Sequence, residues 1–361
     1  MHKIHVTKTY LPDRKKYDEL LDSIWDQHYV TNDGPLARSL ENKLKTYLNC
    51  NNLHWLANGT IALQIAIHCL DLSGDILTTP FTYVATANSI IWQKCKPVFV
   101  DINPKTFAID HTKLQEKMTT QTSAILAVHI YGYPAPINEL QHFASTNGLK
   151  LIYDGAHAFG SSYQGKSLTD YGDITTLSFH ATKVFHTIEG GAVVVNNDEV
   201  SECLKLGATH GHRYNDYLQV GINAKNSEFH AGIGLLNLDI FGRIIEGRKK
   251  VFNHYLSFLR STTLYILEPE IYEEFTYNYA YLPVLFPTKK SLFTAIESLN
   301  KANVFPRRYF YPALNTLSYL NKMECPVAED ISERILCLPL YHDLALADVE
   351  RISKILKDGE I

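Results

Sequence analysis

Seven short runs rich in Val, Ile and Leu alternate with amphipathic stretches between about residues 53 and 197, and this alternation restricts the fold most strongly. Such runs are typical of strands that are buried on both faces, as in a parallel sheet covered by helices. The predicted strands are LHWLAN, DILTTP, KPVFVD, SAILAVHI, LKLIYD, TTLSF and GAVVVNN. We therefore predict an α/β fold built on a mainly parallel seven-stranded sheet.

Helical spacing appears between and after these runs. TIALQIAIHCL has apolar residues at 61, 62, 65, 66, 69 and 70, which predicts an amphipathic helix, and INELQHFASTNG predicts another that ends at Gly148. After residue 240 a charged helix, RIIEGRKKVFNHYLSFLRS, leads into aromatic segments and a final helix, ALADVERISKILKD. We predict a large domain over residues 1–245 and a smaller C-terminal α+β domain over residues 246–361, with the boundary inside a helix.

Charge and cysteine content argue against several classes of protein. Lys and Arg number 34 and Asp and Glu 38, so no attraction to nucleic acid or to an anionic membrane is expected. The N-terminal segment lacks a signal-peptide core and no run approaches roughly 20 apolar residues, which favours a soluble, cytoplasmic protein. The cysteines never form a CxxC pair, so we expect reduced, buried thiols and no metal site. They are Cys50, Cys69, Cys95, Cys203, Cys325 and Cys337.

An acidic residue stands at the end of one predicted strand. The run LKLIYDGAHAFG places Asp154 there, with His157 three residues later. Ligands of open α/β sheets bind at the carboxyl ends of the strands, so Asp154 stands where an active site is expected. Aspartate also caps turns often, and this run alone supports both interpretations equally.

A lysine lies in the loop after the next strand. TTLSFHATKVFHTIEGGAVVVNN places Ser178 and Lys183 in a polar connection that ends in glycines. Most lysines are solvated surface charges, so Lys183 alone indicates little. It follows Asp154 by 29 residues and one further strand, so the two side chains can converge on a single pocket.

Two other segments suit a flat, phosphorylated ligand. In LHWLANGTIALQIAIH a strand leads to Gly59 and Thr60 at a helix start, where free N–H groups and the helix dipole favour a phosphate. For NGT alone, a plain N-cap is the simpler interpretation. In TTPFTYVATANSIIW, Tyr83 follows a strand end, where its ring could stack on a ligand or belong to the core.

The order of these segments is more specific than any one of them. In this order of segments the chain resembles the fold-type I enzymes that use pyridoxal phosphate (PLP). The segments are a helix start that suits a phosphate, an aromatic ring that could stack, a strand-end acid followed by His, and a Ser-x-x-x-x-Lys loop. Over nearly its whole length the chain is similar to the sugar aminotransferases of the DegT/DnrJ/EryC1/StrS family. VTNDGPLARSLENKL, ATAN, SFHATK followed by EGGA, and GINAKNSEFHAGIGLLNL add to the resemblance.

This resemblance implies a role for each candidate in the cofactor site. Lys183 would hold PLP covalently and move protons, while Asp154 would pair with the protonated ring nitrogen. His157 would contact the ring hydroxyl and Tyr83 would stack on the ring. The cofactor phosphate would be bound by Gly59, Thr60 and Ser178, together with Asn223 of a neighbouring subunit. A homodimer with shared active sites is therefore implied.

The resemblance also implies a reaction. VTKTYLP, TNDGPL, TPFTYVATANSI, SFHATKVFHTIEGG and PRRYFYPAL look most like enzymes that convert dTDP-4-keto-6-deoxy-D-glucose to dTDP-4-amino-4,6-dideoxy-D-glucose with glutamate as amino donor. Amination of a dTDP-3-keto-6-deoxyhexose is the alternative, because 3-keto-sugar aminotransferases share much of the SFHATK motif. Sugar-binding candidates are Asn32, His186, Glu189, Arg308, Tyr309 and Tyr311. The cluster of Arg307, Arg308, Tyr309, Phe310 and Tyr311 could contact the diphosphate and base of the substrate, since arginine forks match phosphate oxygens. A core aromatic strand that carries surface arginines is an equally good interpretation of this cluster.

Two other functional classes are alternatives to a sugar aminotransferase. A non-catalytic sugar-nucleotide regulator could keep the fold, although it would have no chemical need for Lys183. An aminotransferase for ordinary amino acids would use an arginine for the substrate carboxylate, and no motif identifies one.

Two residues depart from the family pattern. Gly155 stands where the family often has alanine, which we expect to be equivalent. Asn226 stands where Met is common, which weakens the placement of the segment holding Asn223.

Overall fold

The computed structural model describes residues 2–320 and 322–358, and its centre is a seven-stranded sheet. In chain order its strands are β1 (Asn52–Leu56), β2 (Asp75–Thr78), β3 (Lys96–Phe99), β4 (Thr122–Val128), β5 (Lys150–Asp154), β6 (Ile174–Ser178) and β7 (Gly191–Val195). They lie in the order β1-β7-β6-β5-β4-β2-β3. Each corresponds to one predicted strand, so the α/β prediction is confirmed.

The direction of the strands brings four chain segments to one edge of the sheet. Strand β7 is antiparallel to its neighbours β1 and β6, and the other neighbouring pairs are parallel. Gly191, which begins β7, pairs with Leu56 at the end of β1 and with Ser178 at the end of β6. Asp154, which ends β5, pairs with Thr176 on β6. The loops that follow β1, β5 and β6 therefore meet at this edge.

Helices cover the sheet and form much of the C-terminal part. Within the described residues they are α1 (Arg14–Gln27), α2 (Pro35–Leu48), α3 (Gly59–Cys69), α4 (Ala85–Trp92), α5 (Leu114–Lys117), α6 (Ile137–Asn147), α7 (Asp198–Gly207), α8 (Glu228–Leu259), α9 (Lys289–Lys301), α10 (Pro326–Arg334) and α11 (Leu346–Asp358). The predicted helices TIALQIAIHCL and INELQHFASTNG are α3 and α6, and α6 ends at Gly148 as predicted.

The C-terminal part combines α9, α10 and α11 with a three-stranded antiparallel sheet. Its strands are β8 (Tyr265–Ile266), β9 (Pro283–Leu285) and β10 (Ile335–Cys337), in the order β8-β9-β10. The N-terminal strand Ile4–His5 pairs in parallel with Val304–Phe305. Helix α8 passes residue 245 without a break, and one continuous core includes Phe241 and Val251. The division into residues 1–245 and 246–361 stays a prediction.

Three findings on the described residues concern the expectations from composition. All six cysteines are free thiols, as predicted, but only Cys95, Cys325 and Cys337 are buried and the other three are partly buried. In residues 2–320 and 322–358, no helix is both long enough and apolar enough to cross a membrane. Over the same residues, no group of three or more His, Cys, Asp or Glu side chains is arranged to hold a metal ion.

Candidate active site

A cavity of about 660 Å³ opens at the sheet edge where β1, β5 and β6 end. The loops after these strands and the segment before α4 form most of its wall, and Tyr281 and Phe310 close it from the C-terminal part. Eleven residues identified from the sequence line it: Gly59, Thr60, Tyr83, Asp154, His157, Ser178, Lys183, Glu189, Arg307, Tyr309 and Phe310. The fold therefore gathers the predicted cofactor residues, Asn223 excepted, around one space.

Asp154 lies in the wall with a side chain held by two donors. The Thr86 hydroxyl donates to Oδ2 at 2.8 Å, and the Ala156 backbone N–H donates to Oδ1 at 3.1 Å. The residue is 6% exposed, and burial raises the pKa of its carboxyl above the usual value. The two hydrogen bonds and the charge of Lys183 oppose this rise in pKa. The two hydrogen bonds and the lysine charge therefore favour the ionised form of Asp154, whereas its burial favours the neutral form.

Lys183 faces the same cavity from the loop after β6. A backbone hydrogen bond from its N–H to the His180 carbonyl oxygen, at 2.8 Å, holds the turn in which it lies. Burial lowers the pKa of the Lys183 amine to about 8, and the negative charge of Asp154 acts in the opposite direction. The free amine, which a nucleophile or a base requires, is therefore far more populated near neutral pH than in an ordinary lysine.

His157 is held as a neutral imidazole in the same wall. Its Nδ1 accepts a hydrogen bond from the Tyr131 backbone N–H at 3.2 Å, so the ring proton lies on Nε2. Burial, with the charge of Lys183, lowers the pKa of His157 well below its usual value. Phe310 stacks on the imidazole with centroids 5.7 Å apart, and the Tyr281 ring meets it edge-on at 4.9 Å. His157 therefore presents one fixed donor.

The start of α3 lies against the end of β6. The side chain of Asn58 caps the helix by accepting the Ile61 N–H at 2.9 Å, so the N-cap role belongs to Asn58. A Cβ on Gly59 would lie 2.9 Å from the Ser178 Cβ, which shows how closely the two elements approach. In the described part of the chain, the hydroxyls of Thr60 and Ser178 have no hydrogen-bond partner. Free hydroxyls beside a helix N-terminus suit a phosphate.

The mouth of the cavity carries exposed aromatic and charged side chains. Tyr83 is 60% exposed. The Glu189 Oε1 lies 3.6 Å from the His180 Nε2. Arg307 also lines the cavity, with its guanidinium 5.3 Å from the centroid of the Tyr309 ring. Among the described residues, no carboxylate lies within ion-pair distance of Arg307. Its charge is therefore available to an anionic ligand.

His186, Arg308 and Tyr311 are three of the four sugar-binding candidates that lie outside this cavity. His186 is fully buried and its Nε2 forms a 2.9 Å hydrogen bond with the Tyr10 carbonyl oxygen. The Arg308 guanidinium lies 3.4 Å from the Tyr311 ring centroid and donates to the Ser332 carbonyl oxygen at 3.1 Å. His186 is therefore a core residue and the Arg308 side chain is only 15% exposed, and neither they nor Tyr311 line the cavity in this chain.

Asn32 and Asn223 also lie outside the cavity, and both are exposed. Asn32 adopts a left-handed backbone conformation with φ of 61°, and its carbonyl oxygen accepts a hydrogen bond from the Tyr29 hydroxyl at 3.0 Å. Asn223 forms an isolated antiparallel bridge with Thr209. Exposure leaves both available to a second subunit, and their roles stay predictions.

Gly155 fits its position because a side chain would not. A Cβ there would lie 2.9 Å from the Thr176 carbonyl oxygen and 2.9 Å from the Thr175 Cγ2. The Gly155 N–H donates to that same carbonyl at 2.8 Å, which holds the turn after β5 against β6. The expectation that alanine is equivalent here is wrong, because the backbone beside Asp154 would have to shift.

Sequence reasoning did not identify Asn278, which fixes the backbone around His157. Asn278 is 1% exposed, and its Nδ2 donates to the carbonyl oxygens of His157 and Phe159 at 2.7 and 2.9 Å. Its Oδ1 accepts the Ala280 N–H at 3.0 Å, and its own N–H donates to Ser161 Oγ at 3.2 Å. Asn278 therefore joins the C-terminal part to the turn that carries His157.

We expect Asn278→Ala to lower the free energy of unfolding by about 3 kcal/mol, because two buried carbonyl oxygens would lose their donor. Urea denaturation of the purified protein measures this value. Asn147→Ala is the matched control: that side chain makes one partly buried bond, to the Phe143 carbonyl oxygen, and should cost less than about 1 kcal/mol. Equal losses in the two variants would contradict the role of Asn278.

Comparison with known proteins finds relatives that are named transaminases. A Shigella dysenteriae protein named dTDP-4-amino-4,6-dideoxy-D-glucose transaminase is 38% identical over 367 residues, covering 98% of each chain. An Escherichia coli protein of the same name is 34% identical, again over 98% of each chain. A crystal structure of DesI in the presence of its TDP-sugar product matches with a TM-score of 0.93 and 28% identity, covering 99% of this chain and 93% of DesI.

The fold, together with a lysine and an aspartate facing one cavity, defines a PLP-dependent aminotransferase of fold type I. This chain belongs to the DegT/DnrJ/EryC1/StrS aminotransferase family, whose model matches residues 13–357. The residues present fit the cofactor: a depressed lysine pKa, a buried carboxylate, a fixed imidazole donor and free hydroxyls at a helix start all face the cavity. The predicted family, enzyme class and cofactor are confirmed.

Proposed function

We propose that this chain transfers an amino group from glutamate to dTDP-4-keto-6-deoxy-D-glucose and forms dTDP-4-amino-4,6-dideoxy-D-glucose. The observation that carries the proposal is the placement of Lys183, with a pKa near 8, in the cavity that also contains Asp154. Similarity over 98% of the chain to two transaminases named for this amino sugar supports the choice of acceptor. Amination of a dTDP-3-keto-6-deoxyhexose is the alternative.

Each wall of the cavity would bind one part of the cofactor. Lys183 would hold PLP, Asp154 would pair with its ring nitrogen, and His157 would donate from Nε2 to its ring hydroxyl. The phosphate would be bound by Gly59, Thr60 and Ser178, and Tyr83 would cover the ring. When bound, PLP supplies an electron sink that stabilises negative charge on the reacting carbon.

Proton transfer is the part of the reaction that this chain would perform itself. With a pKa of about 8, the Lys183 amine can accept a proton at neutral pH and return it at a neighbouring atom. An unperturbed lysine would be almost fully protonated and could only donate. Burial of Lys183 therefore allows one side chain to serve as both base and acid.

The shared site is also a proposal. We infer a homodimer in which the exposed Asn223, and the turn containing Asn32, reach the cavity of the partner subunit. Asn226, three residues after Asn223, donates a 2.8 Å hydrogen bond from its Nδ2 to the Glu189 carbonyl oxygen, which ties this loop to the wall of the cavity. We further propose a cytoplasmic enzyme, without nucleic-acid or membrane partners, whose product enters a surface polysaccharide such as O-antigen.

Arg307→Ala should raise the KM of one anionic substrate about 10- to 100-fold, because a charge-assisted hydrogen bond would be lost. The effect on kcat should be smaller, since the guanidinium lies at the mouth and binds ground and transition states alike. Separate KM values for glutamate and for the dTDP-sugar show which anion Arg307 binds. Arg308→Ala is the matched control, because that guanidinium stacks on Tyr311 outside the cavity. Unchanged KM values in Arg307→Ala would remove it from the site.

The purified protein loaded with PLP provides the test of the proposed function. Glutamate should remove the visible absorption band of the bound cofactor, and dTDP-4-keto-6-deoxyglucose should restore it. Mass spectrometry and NMR of the product should place nitrogen at carbon 4. Restoration only by a 3-keto sugar would favour the alternative, and a protein that binds the dTDP-sugar without any change in the band would be a regulator.

A further inference from the structure

Two buried threonines connect the loop before α4 to Asp154. Thr86 is 0% exposed and Thr82 is 3% exposed. The two hydroxyl oxygens lie 3.0 Å apart, and the Thr86 Oγ1 lies 2.8 Å from the Asp154 Oδ2. Thr82 also lines the cavity, one residue before Tyr83. A continuous chain of hydrogen bonds therefore runs from the cavity wall to the carboxylate.

The direction of this chain follows from counting protons. An ionised carboxylate only accepts, so the single hydroxyl proton of Thr86 must point to Asp154. Thr86 then has no proton left for its neighbour, and Thr82 must donate to Thr86. Both hydroxyls are thus oriented toward the carboxylate, and each polarises the next. If Asp154 were protonated on Oδ2, the whole chain would have to reverse.

The groups around Asp154 determine whether its carboxyl is ionised, and the two oriented hydroxyls are among them. Burial favours the neutral acid, and on the cavity side Lys183 is the charged group that favours the carboxylate, while His157 is neutral there. On the protein side, the Thr86 hydroxyl and the Ala156 N–H are the two donors that the described residues supply to the carboxyl oxygens. The charge of Lys183 disappears when its amine is neutral, whereas the threonine donors remain.

We propose that Thr86, supported by Thr82, is a positioning residue that keeps the Asp154 carboxylate ionised and aimed at the ring nitrogen of the cofactor. This inference rests on the proposed role of Asp154. Thr86→Val removes the hydroxyl at nearly constant volume, so the proton shared between carboxylate and ring nitrogen should move toward Asp154. Turnover should fall about tenfold, because one hydrogen bond to a charged group is lost. The KM of both substrates should change little.

The test uses the full-length enzyme loaded with PLP that carries ¹⁵N in the ring, and it measures the ¹⁵N chemical shift. We compare the parent enzyme with Thr86→Val, Thr86→Ser and Asp154→Asn. Thr78→Val is the matched control, because Thr78 is an equally buried threonine whose hydroxyl bonds to the Leu126 carbonyl oxygen. Thr86→Val should move the signal toward that of Asp154→Asn, and Thr86→Ser should restore it. Thr78→Val should leave it unchanged.

The outcomes separate failure of this inference from failure of the proposed site. If Asp154→Asn does not change the ¹⁵N signal, the role of Asp154 itself is wrong. If Asp154→Asn moves the signal and Thr86→Val does not, only the positioning role is overturned. An equal change of the ¹⁵N signal in Thr86→Val and Thr86→Ser would show that the hydroxyl is not the cause, and it would also overturn the positioning role. If Thr86→Val does not fold, Thr82→Val decides: it should give a smaller shift in the same direction, and no shift contradicts the chain.

Discussion

Lys183→Ala is expected to lower turnover by at least about 10³-fold, because a positioned acid–base group alone contributes 10²–10⁴. The variant also loses the side chain that would hold the cofactor. Turnover is measured with glutamate and the keto sugar under saturating PLP. Lys166→Ala is the control, since Lys166 is an exposed lysine outside the described cavity. Normal turnover in Lys183→Ala would contradict the proposed role of Lys183 in the reaction.

The same variant should stabilise the cofactor-free protein. The pKa of Lys183 in the fold, about 8, lies below its usual value of 10.5, so protonation opposes folding. This cost is full below pH 8 and disappears as the pH rises toward 10.5. Lys183→Ala should therefore raise the free energy of unfolding by roughly 1–2 kcal/mol near pH 7 and by much less near pH 9.5. Denaturation at both pH values measures the difference, and equal changes would contradict a depressed pKa.

The seven strands could be predicted because strands buried on both faces need continuous apolar runs, which few other elements contain. The proximity of the candidate cofactor residues could be predicted for a related reason. Asp154 and Ser178 end neighbouring strands, so their order along the chain fixes their proximity in space. The position of Lys183 follows from Ser178, because a loop of five residues cannot carry it far from the same edge.

The residues that were missed or misplaced depend on contacts between distant segments. Asn278 reaches His157 across 121 positions of sequence, and nothing local marks it. His186 does not line the cavity, and its imidazole forms a hydrogen bond with Tyr10 of the N-terminal segment instead. Of the adjacent arginines only Arg307 lines the cavity, because neighbouring side chains of an extended segment point to opposite sides. Sequence alone does not say which side faces the cavity.

Asp154→Asn should lower kcat by about 10²- to 10³-fold, because a preorganised charge opposite the cofactor ring would be lost. The substitution nearly preserves shape, and it separates the two interpretations of this strand-end acid. A turn cap would lose stability and keep activity. An active-site acid would lose activity and keep stability, because burial raises its pKa and the ionised form opposes folding near neutral pH.

Asp101→Asn is the matched control, because Asp101 is an aspartate whose role is structural. Asp101 is also buried, just after β3, but it accepts hydrogen bonds from the backbone N–H groups of Ile102, Val327 and Ala328 and lies 3.3 Å from the Lys113 Nζ. Its replacement should lower the free energy of unfolding by about 1–3 kcal/mol with little effect on kcat. Urea denaturation and turnover, measured on both variants, should therefore show reciprocal patterns. If Asp154→Asn behaved like Asp101→Asn, Asp154 would be a structural cap, and the ring nitrogen of the cofactor would need another partner.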